Sequence, residues 1–387
     1  MSAADWLYVD TAPELEALVA RLQGSPWLAL DTEFIRERTY YPQLCLLQVA
    51  TPGLIACVDP LALPDIGPLL DVLYDPATVK VLHAASQDLE IFYHLRGAVP
   101  QPVFDTQIAA SLLGHGEQAG YGTLVESLLS ITLDKSQSRT DWAQRPLDAI
   151  QLAYAADDVR HLRSVYGLLL DELARLGRRD WLEQDFIDLC RSDRYAPNPP
   201  EAWRRIKGAR MLRGVQLAVL ARLAEWREQQ AMASDRPRKW IAADDLLLDL
   251  ARMQPRDEAQ LGKLRTLEAA TARRHGATLL ALVAEARTQP KESWPQLPQR
   301  RQLAAEQEAL VDAMMAIVRL RGLQKGVSTA QLAARRELEQ LVEGERDLPL
   351  LHGWRAGVAG REVLDLLEGR LALEVEDGQL RTRPRPD

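Results

Sequence analysis

Apolar and polar positions run with two different periods along the first 180 or so residues of this 387-residue chain. Short runs of strand character occur at WLYVD (6–10), WLALDTEF (27–34), QLCLLQVAT (43–51), LIACVDP (54–60) and TVKVLHA (78–84). The second, third and fourth are separated by short connections, which predicts an antiparallel meander. Between and after them the period lengthens to three and four residues. A helix should start at Thr11, where T-x-x-E with Glu14 has the form of a capping box. Others are expected near Asp65–Tyr74 and over SQDLEIFYHL with Ser86 as its cap. DTQIAASLLG, with Asp105 as cap, YGTLVESLLS and a long stretch from Leu147 to Leu176 also read as helices. Strands gathered early and helices late predict a mixed α/β domain, not a repeated βαβ array.

The pattern breaks at RYAPNPPEAW, where closely spaced prolines disfavour helix and mark a linker. The chain beyond it reads as helical, with Trp203, Trp226 and Trp240 as core anchors, and a second break falls at TQPKESWPQLPQR. The two helical blocks resemble each other at a spacing of roughly 85 to 90 residues, which suggests a duplicated module. The expected domains are therefore 1–192, 201–290 and 301–376, with 377–387 as a disordered tail.

Charge sharpens this division. Residues 1–190 hold 27 acidic and 13 basic side chains, while residues 191–387 hold 28 and 34, so the net charge of −8 conceals a positive second half. A polyanion would be held there, densest over 191–240 with 12 basic side chains against 5 acidic. Cys45, Cys57 and Cys190 are unevenly spaced, two of them in apolar runs, which argues against a zinc site or a disulfide framework. The chain shows neither a membrane-spanning run nor a secretory signal, and the expectation is a cytoplasmic protein without a membrane partner.

Against this background four carboxylates stand out. Asp31 and Glu33 lie two apart in a strand, so they share a face, with Thr32 and Phe34 on the other. Asp88 falls in the first turn of a helix just past a strand end, where α/β domains place ligand groups. Tyr154 and Asp158 are four apart on one helix face, and this spacing favours Asp158 over its neighbour Asp157. Carboxylates in apolar segments must pair, bind cations or take up protons, so their convergence would form an oxygen cage for hard divalent ions. His83 at a strand end, Lys135 and Arg139 in a polar loop, and Phe34 are candidate substrate contacts.

The order and wording of these segments resemble the ribonuclease D family. DTEF is similar to the first motif of the DEDD exonuclease superfamily, LHAASQDLE to the second and YAADD to the third in its tyrosine-bearing form. TYYPQLCLLQ, AVPQPVFDTQIAASL and TLDKSQSRTDWAQRPL extend the likeness. The resemblance implies an α/β RNase H-like exonuclease domain followed by two all-α helicase-and-RNase-D C-terminal (HRDC) domains. It further implies Asp31, Glu33, Asp88 and Asp158 as metal ligands and Tyr154 as the residue orienting water. Two Mg²⁺ ions, replaceable by Mn²⁺, a monomer, and RNA substrates such as tRNA precursors with 3′ extensions are also implied. A DNA exonuclease with the same site and a non-catalytic nucleic-acid-binding scaffold are the rivals.

Overall fold

The computed structural model describes residues 5–134, 137, 140–297 and 303–385, which form two compact units. The first takes in the described residues of Met1–Glu33, Leu44–Arg194 and Arg301–Asp387; the second those of Phe34–Gln43 and Tyr195–Arg300.

A six-stranded sheet, ordered β1-β4-β3-β2-β5-β6, organises the first unit. Its strands are β1 (Leu7–Val9), β2 (Trp27–Ile35), β3 (Gln43–Thr51), β4 (Leu54–Val58), β5 (Val79–Leu82) and β6 (Val103–Asp105). β3 and β4 are antiparallel, with Gln48 opposite Cys57, whereas β1 pairs parallel to β4, and β5 parallel to both β2 and β6. The expected hairpin of β3 and β4 is thus embedded in a mixed sheet. β3 beyond its first residue and all of β4 are buried, and apart from Gln48 and Thr51 of β3 they are apolar on both faces. The three-residue β6 went unforeseen because it runs straight into a helix, and three residues carry no readable period.

Around the sheet lie α1 (Ala12–Leu22), α2 (Gly67–Leu73), α3 (Ser86–Arg96), α4 (Thr106–Leu112), α5 (Tyr121–Leu129), α6 (Ala149–Arg175) and α7 (Glu183–Leu189). Thr11 is the N-cap of α1, but its hydroxyl donates to the Glu14 carboxylate at 2.7 Å and caps no backbone N–H. Ser86 is the first helical residue of α3, one past its N-cap Ala85.

The second unit contains α8 (Val215–Ser234), α9 (Arg238–Ile241), α10 (Asp244–Met253), α11 (Glu258–Leu261) and α12 (Ala269–Thr288). Its core gathers Trp203, Leu220, Leu223, Trp226, Leu247, Leu279 and their neighbours. The proline-rich stretch expected as a linker forms 3₁₀ turns over Pro199–Arg205 and delivers Trp203 into that core. Trp240 is not an anchor: it is 59% exposed, on the outside of the one-turn α9. Buried Glu228 is held by Arg238 at 2.6 Å and by the Tyr40 hydroxyl at 2.5 Å, which ties the loop 34–43 into this unit.

The remaining block begins with α13 (Ala305–Lys325), α14 (Thr329–Leu332) and α15 (Arg335–Val342). α9 and α14 are four-residue helices that start 91 residues apart, as do α10 and α15. α8 and α13 each stop at a left-handed residue, Asp235 and Gly326, and α9 and α14 each end at an extended alanine, Ala242 and Ala333. The block continues through α16 (Gly353–Arg355), a π turn over Ala356–Gly360 and α17 (Arg361–Leu367). Instead of forming a separate domain it clusters with the sheet-bearing part. Trp354 stacks on Trp181 at 4.6 Å with rings 2° from parallel, Arg355 donates to Asp185 at 3.0 Å, and Arg178 donates to the Lys325 carbonyl. The tail expected to be disordered is a hairpin of β7 (Leu371–Glu376) and β8 (Gln379–Pro384). Asp377 and Gly378, both at positive φ, make its turn, the Asp-Gly pair such hairpins require. Their signal was masked by the flanking arginines and prolines.

Candidate active site

Three elements of the first unit bring the acidic residues together. β2 presents Asp31 and Glu33 on one face by simple alternation, after the buried run Leu28–Leu30. α6 supplies Tyr154 and Asp158, and its start is firmly fixed. The Asp148 carboxylate accepts from the N–H groups of Ile150 and Gln151, while the Gln151 side chain accepts from the Asp148 N–H, a complete capping box. Just upstream, Arg145 donates to both oxygens of buried Asp59, at 2.6 and 2.8 Å, and to the Cys45 carbonyl. The loop entering α6 is thereby pinned to β3 and to the end of β4.

Asp31, Glu33 and Asp158 converge, with one carboxylate oxygen from each lying within 4.8 Å of the others. Asp88 is buried at the start of α3 and raises the pKa of both Asp31 and Glu33, so it belongs to the same electrostatic cluster. Its carboxylate is held by the Thr32 hydroxyl at 2.5 Å. Thr32 stands between Asp31 and Glu33 on β2, so its hydroxyl ties Asp88 to the strand that carries them. Asp157, the competing candidate, is exposed and paired with Arg160 at 2.8 Å.

Burial, followed by mutual repulsion, sets the protonation of the group. Asp31 is pushed well above the usual carboxylate range, first by desolvation and then by Asp158, Asp88 and Glu33. Desolvation likewise lifts Glu33 to about 8 and Asp88 and Asp158 to about 7. Among the described residues no Lys or Arg forms an ion pair with any of the four. Carboxylates so crowded, partly buried at Asp31, Glu33 and Asp158 and buried at Asp88, and without a cationic partner among the described residues fit divalent metal ions. Tyr154 is also part of this field: burial and then Asp158, Glu33 and Asp31 raise its phenol further, so it is neutral at physiological pH.

Several supporting residues were missed or underread. Asp105 does cap α4, accepting from Gln107 and Ile108, but it also accepts from the N–H groups of Ala84 and Ala85 at 3.2 and 2.9 Å. That turn, with Ala84 at φ 54°, precedes the helix carrying Asp88. The Tyr121 hydroxyl donates to the Asp158 carbonyl. His83 places Nδ1 3.0 Å from the Thr106 hydroxyl, and its ring lies 5.3 Å from that of Tyr121. It is thus engaged with protein groups at the end of β5. Phe34 is half-buried in the continuation of β2, and Lys135 and Arg139 lie outside the described residues. The Asp105 and Thr32 contacts join strands and helices distant in sequence, so no local spacing signals them.

A 3′-5′ exonuclease family model matches residues 7–174, and an HRDC domain model matches residues 216–283. The sheet, the acidic cluster and the helical unit thus define a 3′-5′ exonuclease carrying an HRDC domain, a class whose fold implies divalent metal use. Ribonuclease D of Sphingobium indicum is 42% identical over 378 residues, 96% of this chain and 97% of that protein. Ribonuclease D of Pseudomonas paraeruginosa is 40% identical, over 94% of this chain and 97% of that one. The crystal structure of Escherichia coli RNase D, an exoribonuclease involved in structured RNA processing, superposes with a TM-score of 0.81 at 36% identity, covering 94% of this chain and 99% of that one. The catalytic core of RRP6 from Trypanosoma brucei aligns at 26% identity with a TM-score of 0.58, over 74% of this chain and 81% of that one. The chain belongs to the ribonuclease D family, and it is a 3′-5′ exoribonuclease, a hydrolase acting on RNA. Among the described residues no helix is long and apolar enough to cross a membrane.

Proposed function

We propose that this enzyme trims RNA one nucleotide at a time from a free 3′-hydroxyl with two divalent ions, releasing nucleoside 5′-monophosphates. The observation that carries the reading is the partly buried meeting of Asp31, Glu33 and Asp158 within 4.8 Å, with Asp88 in their field and, among the described residues, no basic side chain paired with them. These four carboxylates would hold the ions. Mg²⁺, which favours carboxylate, water and phosphate oxygens, is the expected metal, with Mn²⁺ able to replace it. When bound, the ions supply Lewis acidity and offset the charge of the scissile phosphate. Tyr154, neutral and beside the cluster, orients the attacking water through its hydroxyl and does not serve as a full base. Asp88 is kept in place by Thr32, and its helix start by Asp105.

Structured RNAs such as tRNA precursors with short 3′ extensions are the proposed substrates of a cytoplasmic monomer. E. coli RNase D, which aligns over nearly the whole chain, is described as processing structured RNA. Phe34, His83, Lys135 and Arg139 are proposed contacts to the RNA 3′ end. The block from α13 to α15 is proposed as a second HRDC module, supported by the 91-residue repeat of short helices and of their terminating residues.

A gel assay with 3′-labelled and 5′-labelled RNA, and matched DNA, tests this reading. With Mg²⁺ the 3′ label should appear at once as mononucleotide while the 5′-labelled chain shortens stepwise, and chelator should stop both. Internal cuts, faster loss of DNA, or indifference to chelator would overturn it.

A further inference from the structure

Gln48 is an anomaly in the middle of β3. Its side chain is wholly buried at 0% exposure, yet among the described residues neither its amide nitrogen nor its carbonyl oxygen has a hydrogen-bond partner. Buried primary amides are ordinarily satisfied, and an apolar side chain of similar size would fill the same slot without desolvation loss.

Its position explains what the amide is for. Gln48 stands directly across from Cys57 of β4, so the two side chains share one sheet face. The Cys57 sulfur lies 3.9 Å from the Leu152 carbonyl of α6, which makes this the face that α6 covers. Asp31 and Glu33 share that face, since their carboxylates meet Asp158 of α6. β3 is the hydrogen-bonded neighbour of β2, so Gln48 is one strand away from the acidic pair. The negative field of Asp158 reaches as far as Cys57. The cluster, for its part, lacks donors: among the described residues no side chain donates a hydrogen bond to the carboxylates of Asp31, Glu33 or Asp158. Carboxylates that ligate metal need outer donors to hold their remaining lone pairs, and a carboxamide offers two N–H groups.

We propose that Gln48 is a positioning residue for the acidic cluster, its carboxamide holding the Asp158 side in place once the carboxylates are ionised around divalent metal. The inference rests on the metal-binding reading above. An unloaded protein carries the amide at a loss, and the loaded one recovers it. Stability and function therefore respond to its removal with opposite signs.

The test uses the full-length protein and two apolar substitutions, Gln48→Leu and the longer, more compliant Gln48→Met. Three quantities are read: melting temperature in chelator, Mn²⁺ affinity by titration calorimetry, and RNA turnover at saturating Mg²⁺. In both variants the metal-free melting temperature should match or exceed that of the wild type. Mn²⁺ affinity should fall by roughly 10- to 100-fold, as on loss of other outer-shell partners, and turnover should fall with it. Affinity and turnover within twofold of wild type would overturn the inference, as would a lowered melting temperature with unchanged affinity. Asp31→Asn serves as control. If it too binds Mn²⁺ normally, the metal reading itself fails; if it loses Mn²⁺ while the Gln48 variants keep it, only the role of Gln48 falls.

Discussion

Asp31, Glu33, Asp88 and Asp158 are each held away from their ordinary ionisation, and the direction of that shift has a measurable sign. Their folded pKa values lie above the usual carboxylate value of about 4, so between that value and the folded ones the native state binds more protons than the unfolded chain. Their contribution to metal-free stability is full at low pH and is lost as pH rises through about 7 for Asp88 and Asp158 and about 8 for Glu33. Melting in chelator should consequently drop between pH 5.5 and 8.5, and added Mg²⁺ should restore it at the upper end, since a ligand of the native state stabilises by mass action. A flat profile would mean that the carboxylates are less buried or less crowded than described. Asp158→Asn relieves the same repulsion, so this variant should melt no lower than wild type at pH 8.5 in chelator. Its Mg²⁺-dependent cleavage should nonetheless fall further than the roughly 10- to 100-fold typical of an outer-shell loss. Retained activity would remove Asp158 from the ligand set. Alternation along a strand and four-residue spacing along a helix made Asp31, Glu33, Tyr154 and Asp158 readable as separate pairs. That the pairs face each other depends on the sheet order, which no spacing encodes. Thr32 is the instructive case: alternation sets it apart from Asp31 and Glu33, yet its hydroxyl donates to Asp88.

α6 is the element on which the geometry turns, because it carries two site residues within its first three turns. Its capping box satisfies N–H groups that have no intrahelical partner, and Asp148→Ala should cost about 1 kcal/mol. A lowered melting temperature together with slower turnover is the expected outcome; an unchanged melting temperature would show that the helix start is fixed by Arg145 and Asp59 alone. This helix was readable as a long amphipathic run, and its observed limits fall just inside those expected from Leu147 and Leu176. β6 and the 3₁₀ turns over Pro199–Arg205 were not readable, for contrasting reasons. The strand is too short to show a period, and the turns are held by the burial of Trp203, a tertiary effect that overrides the local preference of proline for a linker.

Across the molecule the two helical blocks differ in charge. Residues 195–297 hold 18 basic and 12 acidic side chains, whereas residues 303–385 hold 12 and 14. RNA capture should therefore fall to the first of these blocks, where exposed Arg236 precedes α9 and exposed Lys239 lies within it, beside the exposed Trp240. Replacing both cations with Gln should flatten the slope of log affinity against log salt by about 0.7 per lost contact with single-stranded RNA. The corresponding change at Arg336 in the third block should leave the slope unaltered. Equal effects at both places would undo the division of labour. The block after residue 302 has a different use, visible where Trp354 lies flat on Trp181 and Arg355 reaches Asp185. These contacts act as a C-terminal keystone on the nuclease itself. A fragment stopped at the second break in the chain would uncover an indole face and strip Asp185 of its counterion. The shortest soluble catalyst obtainable from this polypeptide should therefore need both of its ends, even though all four carboxylates proposed to hold the metal lie in the first half.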